Sequence, residues 1–197
     1  MSAPLRGRGH DAPRNIVLIG FMGAGKSTVG RALAARKRWR FVDTDAVVER
    51  TSGEGIPALF AALGEDGFRD REAQALLAVA SGNRQVIATG GGIVLRPGNA
   101  AVLRDAGFVV WLTARPEVVV ARTRHRAAQR PLLSGAAATG DEALLAHVLA
   151  MLGERGPQYR AVADCVVDTS DRAPQAIAAE IERKAARRGD PDAAAAR

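Results

Sequence analysis

Residues 20–27, Gly20-Phe21-Met22-Gly23-Ala24-Gly25-Lys26-Ser27, follow the spacing glycine, four residues, glycine-lysine-serine, and this pattern dictates what must flank it. Before it, Asn15-Ile16-Val17-Leu18-Ile19 is apolar and β-branched, as in a buried parallel strand. After it, over residues 28–38, Val29, Ala32, Leu33 and Ala35 recur at helical spacing. Strand, glycine loop and helix form the context of a phosphate-binding loop. A glycine-rich turn that merely starts a helix would leave the Lys-Ser pair unexplained.

A polyphosphate is held closely only where backbone N–H groups converge on it without side chains in the way. Gly20, Gly23 and Gly25 remove those side chains, and the backbone of Gly23, Ala24 and Gly25 supplies donors. Lys26 should reach the β- and γ-phosphates of ATP, the Ser27 hydroxyl should complete the shell of a Mg²⁺ ion, and Thr28 should meet the α-phosphate side. Nucleotide and magnesium are thus the expected cofactors.

The chain has 197 residues, 47% of them hydrophobic and 25% charged, which fits one soluble α/β domain. No apolar run approaches the ~20 residues of a membrane helix, and the arginines of residues 1–14 are followed by nothing resembling a signal peptide. A cytoplasmic protein, away from membranes, is therefore expected. The single cysteine, Cys165, excludes an internal disulfide and lies in an apolar strand-like stretch, where an inert core thiol is expected. A net charge of +7 raises the question of nucleic acid. Aromatic residues are only 4%, too few for a stacking surface, and anionic small molecules use arginines equally well. No nucleic acid partner is expected.

Residues 1–13 and 188–197 lack periodicity and predict mobile tails around a domain at 14–187. Arg40-Phe41-Val42-Asp43 reads as a second strand, with Asp43 and Asp45 at its C-terminal edge, where open parallel sheets bind ligands. Asp45 can equally cap the helix that follows. Residues 58–63 and 65–80 are helical, separated by Gly64, the second with Phe68, Ala73, Leu76, Leu77 and Val79 inward. Arg69 and Glu72 on that helix could form an ordinary exposed ion pair. Residues 85–88 form a third strand running into Thr89-Gly90-Gly91-Gly92, and three glycines there bare the backbone to whatever lies beside it. A helix at 99–105, a strand at 108–112 and a helix opened by Pro116 through Arg122 follow. Residues 123–140 have no clean apolar face and predict a lid, with His125 solvated among arginines. Asp141 is expected to cap a helix to Leu152, which residues 154–159 continue or kink; 163–167 is the fifth strand and 174–187 the closing helix. Strand and helix alternating in this way mean a parallel sheet covered on both faces.

With these landmarks in order, residues 14–187 resemble the shikimate kinase family. The resemblance rests on the phosphate loop, on Phe41-Val42-Asp43-Thr44-Asp45, on Gly64-Glu65-Asp66-Gly67-Phe68-Arg69-Asp70-Arg71-Glu72, on Gly90-Gly91-Gly92, on Arg130-Pro131-Leu132-Leu133, and on Arg155 followed by Pro157 and Tyr159. It implies an α/β P-loop fold of the nucleoside-monophosphate-kinase type, three layers around a five-stranded parallel sheet of order 2-3-1-4-5, with a lid at about 123–140. It also implies transfer of the ATP γ-phosphoryl group to the 3-hydroxyl of shikimate. On that resemblance Asp45 holds the attacking hydroxyl as candidate base. Arg69 and Arg155 grip the substrate carboxylate, and Gly90, Gly91 and Gly92 present backbone to it. Asp43 holds magnesium through its waters, Arg130 approaches the phosphates from the lid, and Arg172 and Pro174 line the adenine. Glu72 either orients Arg69 or Arg155 or forms a surface pair. The lid is about a residue longer than the family pattern, and Gly156 and Gln158 replace the commoner apolar neighbours of Pro157 and Tyr159. A monomer is expected. Two other readings are a gluconate-type sugar-acid kinase, which leaves Phe68-Arg69 and the glycine run unexplained, and an inactive nucleotide-dependent regulatory module.

Overall fold

The computed structural model describes residues 14–127 and 132–188; the expected tail at 1–13, that at 188–197 apart from Arg188, and Arg130 lie outside the described residues, and Arg188 is tied to the domain through the Gly107 carbonyl and Asp164. Five strands, β1 (Ile16–Ile19), β2 (Arg40–Asp43), β3 (Gln85–Ala88), β4 (Phe108–Thr113) and β5 (Cys165–Asp168), form one sheet of order β2-β3-β1-β4-β5. Every pairing is parallel. The eight helices found among the described residues are α1 (Lys26–Lys37), α2 (Thr44–Ser52), α3 (Ile56–Ala80), α4 (Asn99–Ala106), α5 (Pro116–Ala127), α6 (Ser134–Thr139), α7 (Asp141–Val162) and α8 (Pro174–Arg187). None is long and apolar enough to cross a membrane.

Side chains of a strand alternate between faces, and β1 shows why its run is apolar throughout. Ile16 and Leu18 pack under α1 and α8 with Leu33, Ile177 and Ile181, whereas Val17 and Ile19 pack on the other face with Leu76, Leu103 and Tyr159. All four β1 residues are fully buried, each stabilising the fold by roughly 1.5–3 kcal/mol relative to exposure. A third cluster joins Phe21 to Val119, Leu144 and Val148, and a fourth holds α2 and α3 on β2 through Val47, Leu59 and Phe68.

Several boundaries differ from the sequence reading for physical reasons. Helix α2 is capped by Asp43, whose carboxylate accepts from the Asp45 N–H at 3.1 Å; Asp45 is in the first turn and is not the cap. Asp141 likewise begins α7 without capping it, and α7 runs unbroken through Pro157 to Val162. The missing proline N–H costs one helical hydrogen bond, but Arg155, Tyr159 and Val162 at spacings of four and three are buried along one stripe, and that packing keeps the helix whole. The segment after Arg122 is more ordered than a bare lid, because α5 continues to Ala127 and α6 follows.

In α3, Gly64 has φ 67° and ψ −177°, a break that only glycine tolerates. Beyond it the inward stripe is Phe68, Arg69, Glu72, Ala75, Leu76 and Ala80, while Leu77 is 59% exposed. Hydrophobic periodicity points to Leu77 because it cannot place an arginine and a glutamate inside. Strand β5 starts at Cys165 and not at 163, since Asp164 turns its carboxylate to the Val109 N–H at 2.8 Å while Arg188 bonds to that carboxylate.

Asn15 ties the ends of four elements together. Fully buried, it donates from Nδ2 to the carbonyls of Gly82 (2.7 Å) and Ala106 (3.0 Å) and accepts from the Gln85 N–H (3.0 Å). Asn15→Ala leaves these groups unsatisfied and should lower stability by about 2–4 kcal/mol in urea unfolding, with the far-UV spectrum unchanged. Cys165 is half-buried, and burial pushes its thiol up to about 11. At pH 8 the native protein should react with Ellman's reagent at least about tenfold more slowly than the urea-unfolded chain.

Candidate functional site

The C-terminal edges of β1, β2 and β3 open into a cleft of about 920 Å³, bounded also by α3, α5, α7 and the segment entering α8. Lys26, Ser27, Thr28, Asp43, Asp45, Arg69, Gly90, Gly91, Gly92, Arg155, Arg172 and Pro174 all line it, with Gly23 and Gly25. Fourteen positions drawn from six separate stretches of sequence therefore meet in one cavity. Ala24 is the exception, since its methyl is buried in the core and only its backbone is available to a ligand.

The phosphate end is built by the turn from β1 to α1. Gly25 adopts φ 87° and α1 starts at Lys26, so the first-turn N–H groups and the helix dipole face the cleft. The Lys26 ammonium arches over the loop, donating to the carbonyls of Gly20 (2.7 Å) and Phe21 (3.0 Å). The Ser27 hydroxyl donates to Asp43 Oδ2 at 2.7 Å. This pairing of a hydroxyl with a carboxylate offers hard oxygen donors and few of them. Among the described residues no group of three or more His, Cys, Asp or Glu could hold a metal. Such a donor set fits Mg²⁺, which keeps several waters and shares the phosphates of its nucleotide, better than an ion that demands an all-protein cage.

At the other side of the loop Arg122 donates to Thr169 Oγ1 (3.1 Å) and O (2.8 Å) and to the Gly23 carbonyl (3.3 Å). Arg172 is fixed by the Asp168 carbonyl (2.9 Å) and Glu180 (2.6 Å). Both guanidiniums line the cleft next to Pro174. The sequence reading missed Arg122. Its signal was the i, i+3, i+4 set Val119, Arg122 and Thr123, which turns one face of α5 toward the loop: a Cβ on Gly23 would stand 2.8 Å from Thr123 Cγ2.

The acid-binding end departs most from the sequence reading. Arg69 and Glu72 are not an exposed surface pair, for they are 5% and 1% exposed and joined at 2.5 Å, with a further bond from Arg69 to Glu65 at 2.8 Å. Arg155, 5% exposed, reaches the same cavity from α7. Aromatic faces cover these charges: the Arg69 Cζ lies 5.6 Å from the Phe68 ring centre and 5.9 Å from that of Phe60, and Arg155 Cζ lies 5.8 Å from that of Phe21. Three of the five phenylalanines of the chain thus stand around its two buried arginines. Burial pushes the Glu72 carboxyl up, against the pull of Arg69, Arg155 and Lys26. Arg69 Nε and Arg155 NH1 are buried without a hydrogen-bond partner among the described residues. Orphaned guanidinium donors in a cleft call for an anionic acceptor, and a planar carboxylate matches their fork geometry.

The glycine run fits tightly against this cluster. A Cβ on Gly90 would fall 2.0 Å from Glu72 Oε1 and 2.8 Å from Asp45 Oδ1, and one on Gly92 would fall 2.1 Å from the Arg69 guanidinium. The outer two glycines thus make room for the protein's own side chains, while Gly91, whose nearest neighbour at that position is 3.4 Å away, is the one with space beside it. Its carbonyl accepts from the Tyr159 hydroxyl. His125 is exposed beside Arg124 at 3.3 Å and takes no part in the cleft lining.

Comparison with known proteins agrees with this geometry. The family model for shikimate kinase matches residues 22–186. A shikimate kinase of Symbiobacterium thermophilum is 46% identical over 177 residues, covering 89% of this chain and 98% of the relative. One of Moorella thermoacetica is 44% identical, covering 86% and 93%. Among solved structures, a shikimate kinase from Acinetobacter baumannii in complex with shikimate superposes with a TM-score of 0.80 at 38% identity, covering 87% of this chain and 92% of that one. With the parallel sheet, the phosphate loop and the buried arginine cluster all in place, this chain belongs to the shikimate kinase family.

Proposed function

We propose that this protein transfers the γ-phosphoryl group of ATP to the 3-hydroxyl of shikimate. The observation that carries the reading is the single cleft in which a phosphate-loop lysine, the Asp45 carboxylate and two buried arginines with unpartnered donors all stand. The loop backbone and Lys26 bind the triphosphate, with Arg122, Arg172 and Pro174 flanking the nucleoside end. Arg69 and Arg155 clamp the carboxylate of shikimate, and that anchorage directs a ring hydroxyl toward Asp45 and the terminal phosphorus. Positioning of this kind is most of what phosphoryl transfer asks of a protein.

In the reacting complex the shikimate oxygen forms a bond to the γ-phosphorus as the bond from that phosphorus to the bridging oxygen of ADP breaks. The hydroxyl proton passes to the Asp45 carboxylate. Lys26 follows the negative charge as it spreads onto the leaving oxygens. Ser27 Oγ and, through water, Asp43 would hold a magnesium ion, which would supply further charge neutralisation on the phosphates. Arg130, in the lid by resemblance, adds a second cation there. The enclosed, arginine-lined cleft excludes the water that would otherwise compete for the phosphoryl group. We place this monomeric enzyme in the cytoplasm, in keeping with its composition and the lack of any membrane-crossing helix among the described residues.

The direct test is ADP release with Mg²⁺ and ATP in the presence and absence of shikimate, with gluconate as competitor. Shikimate-dependent turnover insensitive to gluconate is expected, and folded protein that shows none would defeat the reading. Lys26→Ala should lower kcat by about 10³-fold, and Asp45→Asn by about 10²–10⁴-fold, both with shikimate binding retained. Arg155→Ala should instead raise the KM for shikimate by about 10²-fold, the loss of a charged bidentate contact, while the KM for ATP moves less than about twofold. Equal damage to nucleotide binding in all three variants would contradict these roles.

A further inference from the structure

The two arginines of the acid-binding end stand on different helices, Arg69 on α3 and Arg155 on α7, with the Glu72 carboxylate bonded to the first and acted on by the second. Beside Arg155 stands a hydroxyl group that the proposed chemistry does not use. Tyr159 is fully buried and lies one helical turn beyond Arg155, so the two side chains share a face of α7. Its hydroxyl donates to the Gly91 carbonyl. Burial pushes that hydroxyl up to about 12, with the Arg155 guanidinium foremost among the groups that oppose the rise. The phenol therefore keeps its proton, and its role as donor, at neutral pH.

The acceptor matters because a peptide unit is planar. The carbonyl of Gly91 and the N–H of Gly92 belong to one plane, so holding the oxygen also sets where Gly92 lies. Gly92 in turn packs so closely on Arg69 that a Cβ there would stand 2.1 Å from its guanidinium. The turn is otherwise tied from its two ends, by the Gly90 N–H donating to Thr44 Oγ1 at 3.0 Å and by the Ile93 N–H donating to the Gly90 carbonyl at 3.3 Å. The Gly92 carbonyl accepts from the Leu95 N–H at 2.9 Å, and the Tyr159 bond holds the Gly91 carbonyl, on the Gly91–Gly92 peptide itself. The same phenol touches the neighbourhood of one arginine directly and of the other through this peptide.

We infer that Tyr159 is a positioning residue, whose hydroxyl links the Gly91–Gly92 peptide to Arg155 and so sets the spacing of the two guanidiniums that receive the substrate carboxylate. This rests on the reading of the cleft as a shikimate site. Trp111 provides the contrast, because it stacks on the Tyr159 ring at 5.6 Å between ring centres and supports the ring without acting on the hydroxyl.

The experiment compares Tyr159→Phe and Trp111→Phe with the wild-type protein in the ADP-release assay, with thermal unfolding of each. Tyr159→Phe should raise the KM for shikimate about 5–20-fold, the scale of one lost hydrogen bond at a charged site, with the KM for ATP within twofold and kcat within about threefold. Trp111→Phe should lower the Tm while leaving both KM values within twofold. A Tyr159→Phe protein with unchanged shikimate KM, one in which both KM values rise together, or one too unstable to assay would each overturn the inference, the last because the hydroxyl would then belong to the fold and not to the site. Absence of shikimate-dependent turnover in the wild-type protein would instead strike the functional reading itself, and so separates the two failures.

Discussion

Two guanidiniums are held almost entirely out of water beside one carboxylate, and the surroundings of the cleft are arranged around that fact. Removing charges from water costs several kcal/mol for each ion, and a buried pair seldom repays this in stability compared with well-packed apolar residues. Arg69 and Glu72 stand at 2.5 Å with Arg155 and Lys26 acting on the same carboxylate, so the cluster carries an excess of positive charge. Phe21, Phe60 and Phe68 cover it with ring faces. The orphaned donors left over are what an anionic ligand can satisfy. The fold thus tolerates a costly electrostatic arrangement, which the carboxylate of the proposed substrate would offset.

The site is economical in its elements because single residues serve two ends at once. Asp43 caps α2 with one oxygen and holds Ser27 with the other, which couples the start of the α2–α3 unit to the phosphate loop. Thr169 lies within hydrogen-bonding reach of the carbonyls of Ala24 and Thr113 at 3.0 Å while receiving Arg122, so the loop after β5 is locked to the loop after β1. These links are short and polar, and each joins strands that are neighbours in the sheet or one strand apart. A sheet with parallel strands brings every such turn to one edge, and that geometry is why few residues are needed.

Much of this was legible in the chain because its signals are local. The phosphate loop requires its flanking strand and helix, the alternation of strand and helix requires a parallel sheet, and each of the five family landmarks contributes at least one described residue to the cleft lining. What escaped was non-local. Periodicity placed Leu77 inside and left Arg69 and Glu72 outside, because it weighs hydrophobicity and is blind to a charged pair that is buried by aromatic rings from elsewhere. Asp45 was open to a capping role that belongs to Asp43, since the two are separated by a single residue and only the backbone conformation distinguishes them. Pro157 left open whether the helix continues or kinks, and the buried stripe of α7 decides for continuation. Arg122 carried no motif of its own, and Gly90 and Gly92 were read as bare backbone for a ligand when they are spaces for Glu72 and Arg69.

The sequence by itself determined the order of the elements, the parallel sheet and the identity of the phosphate-binding turn, because these follow from the spacing of residues within one stretch of chain. Tertiary structure alone decided which charges leave water, which glycine keeps open space beside it, and that Tyr159 on α7 meets the turn after β3, a contact across 68 positions. Solvation and close approach depend on what packs from distant segments, and no window along the chain contains both partners.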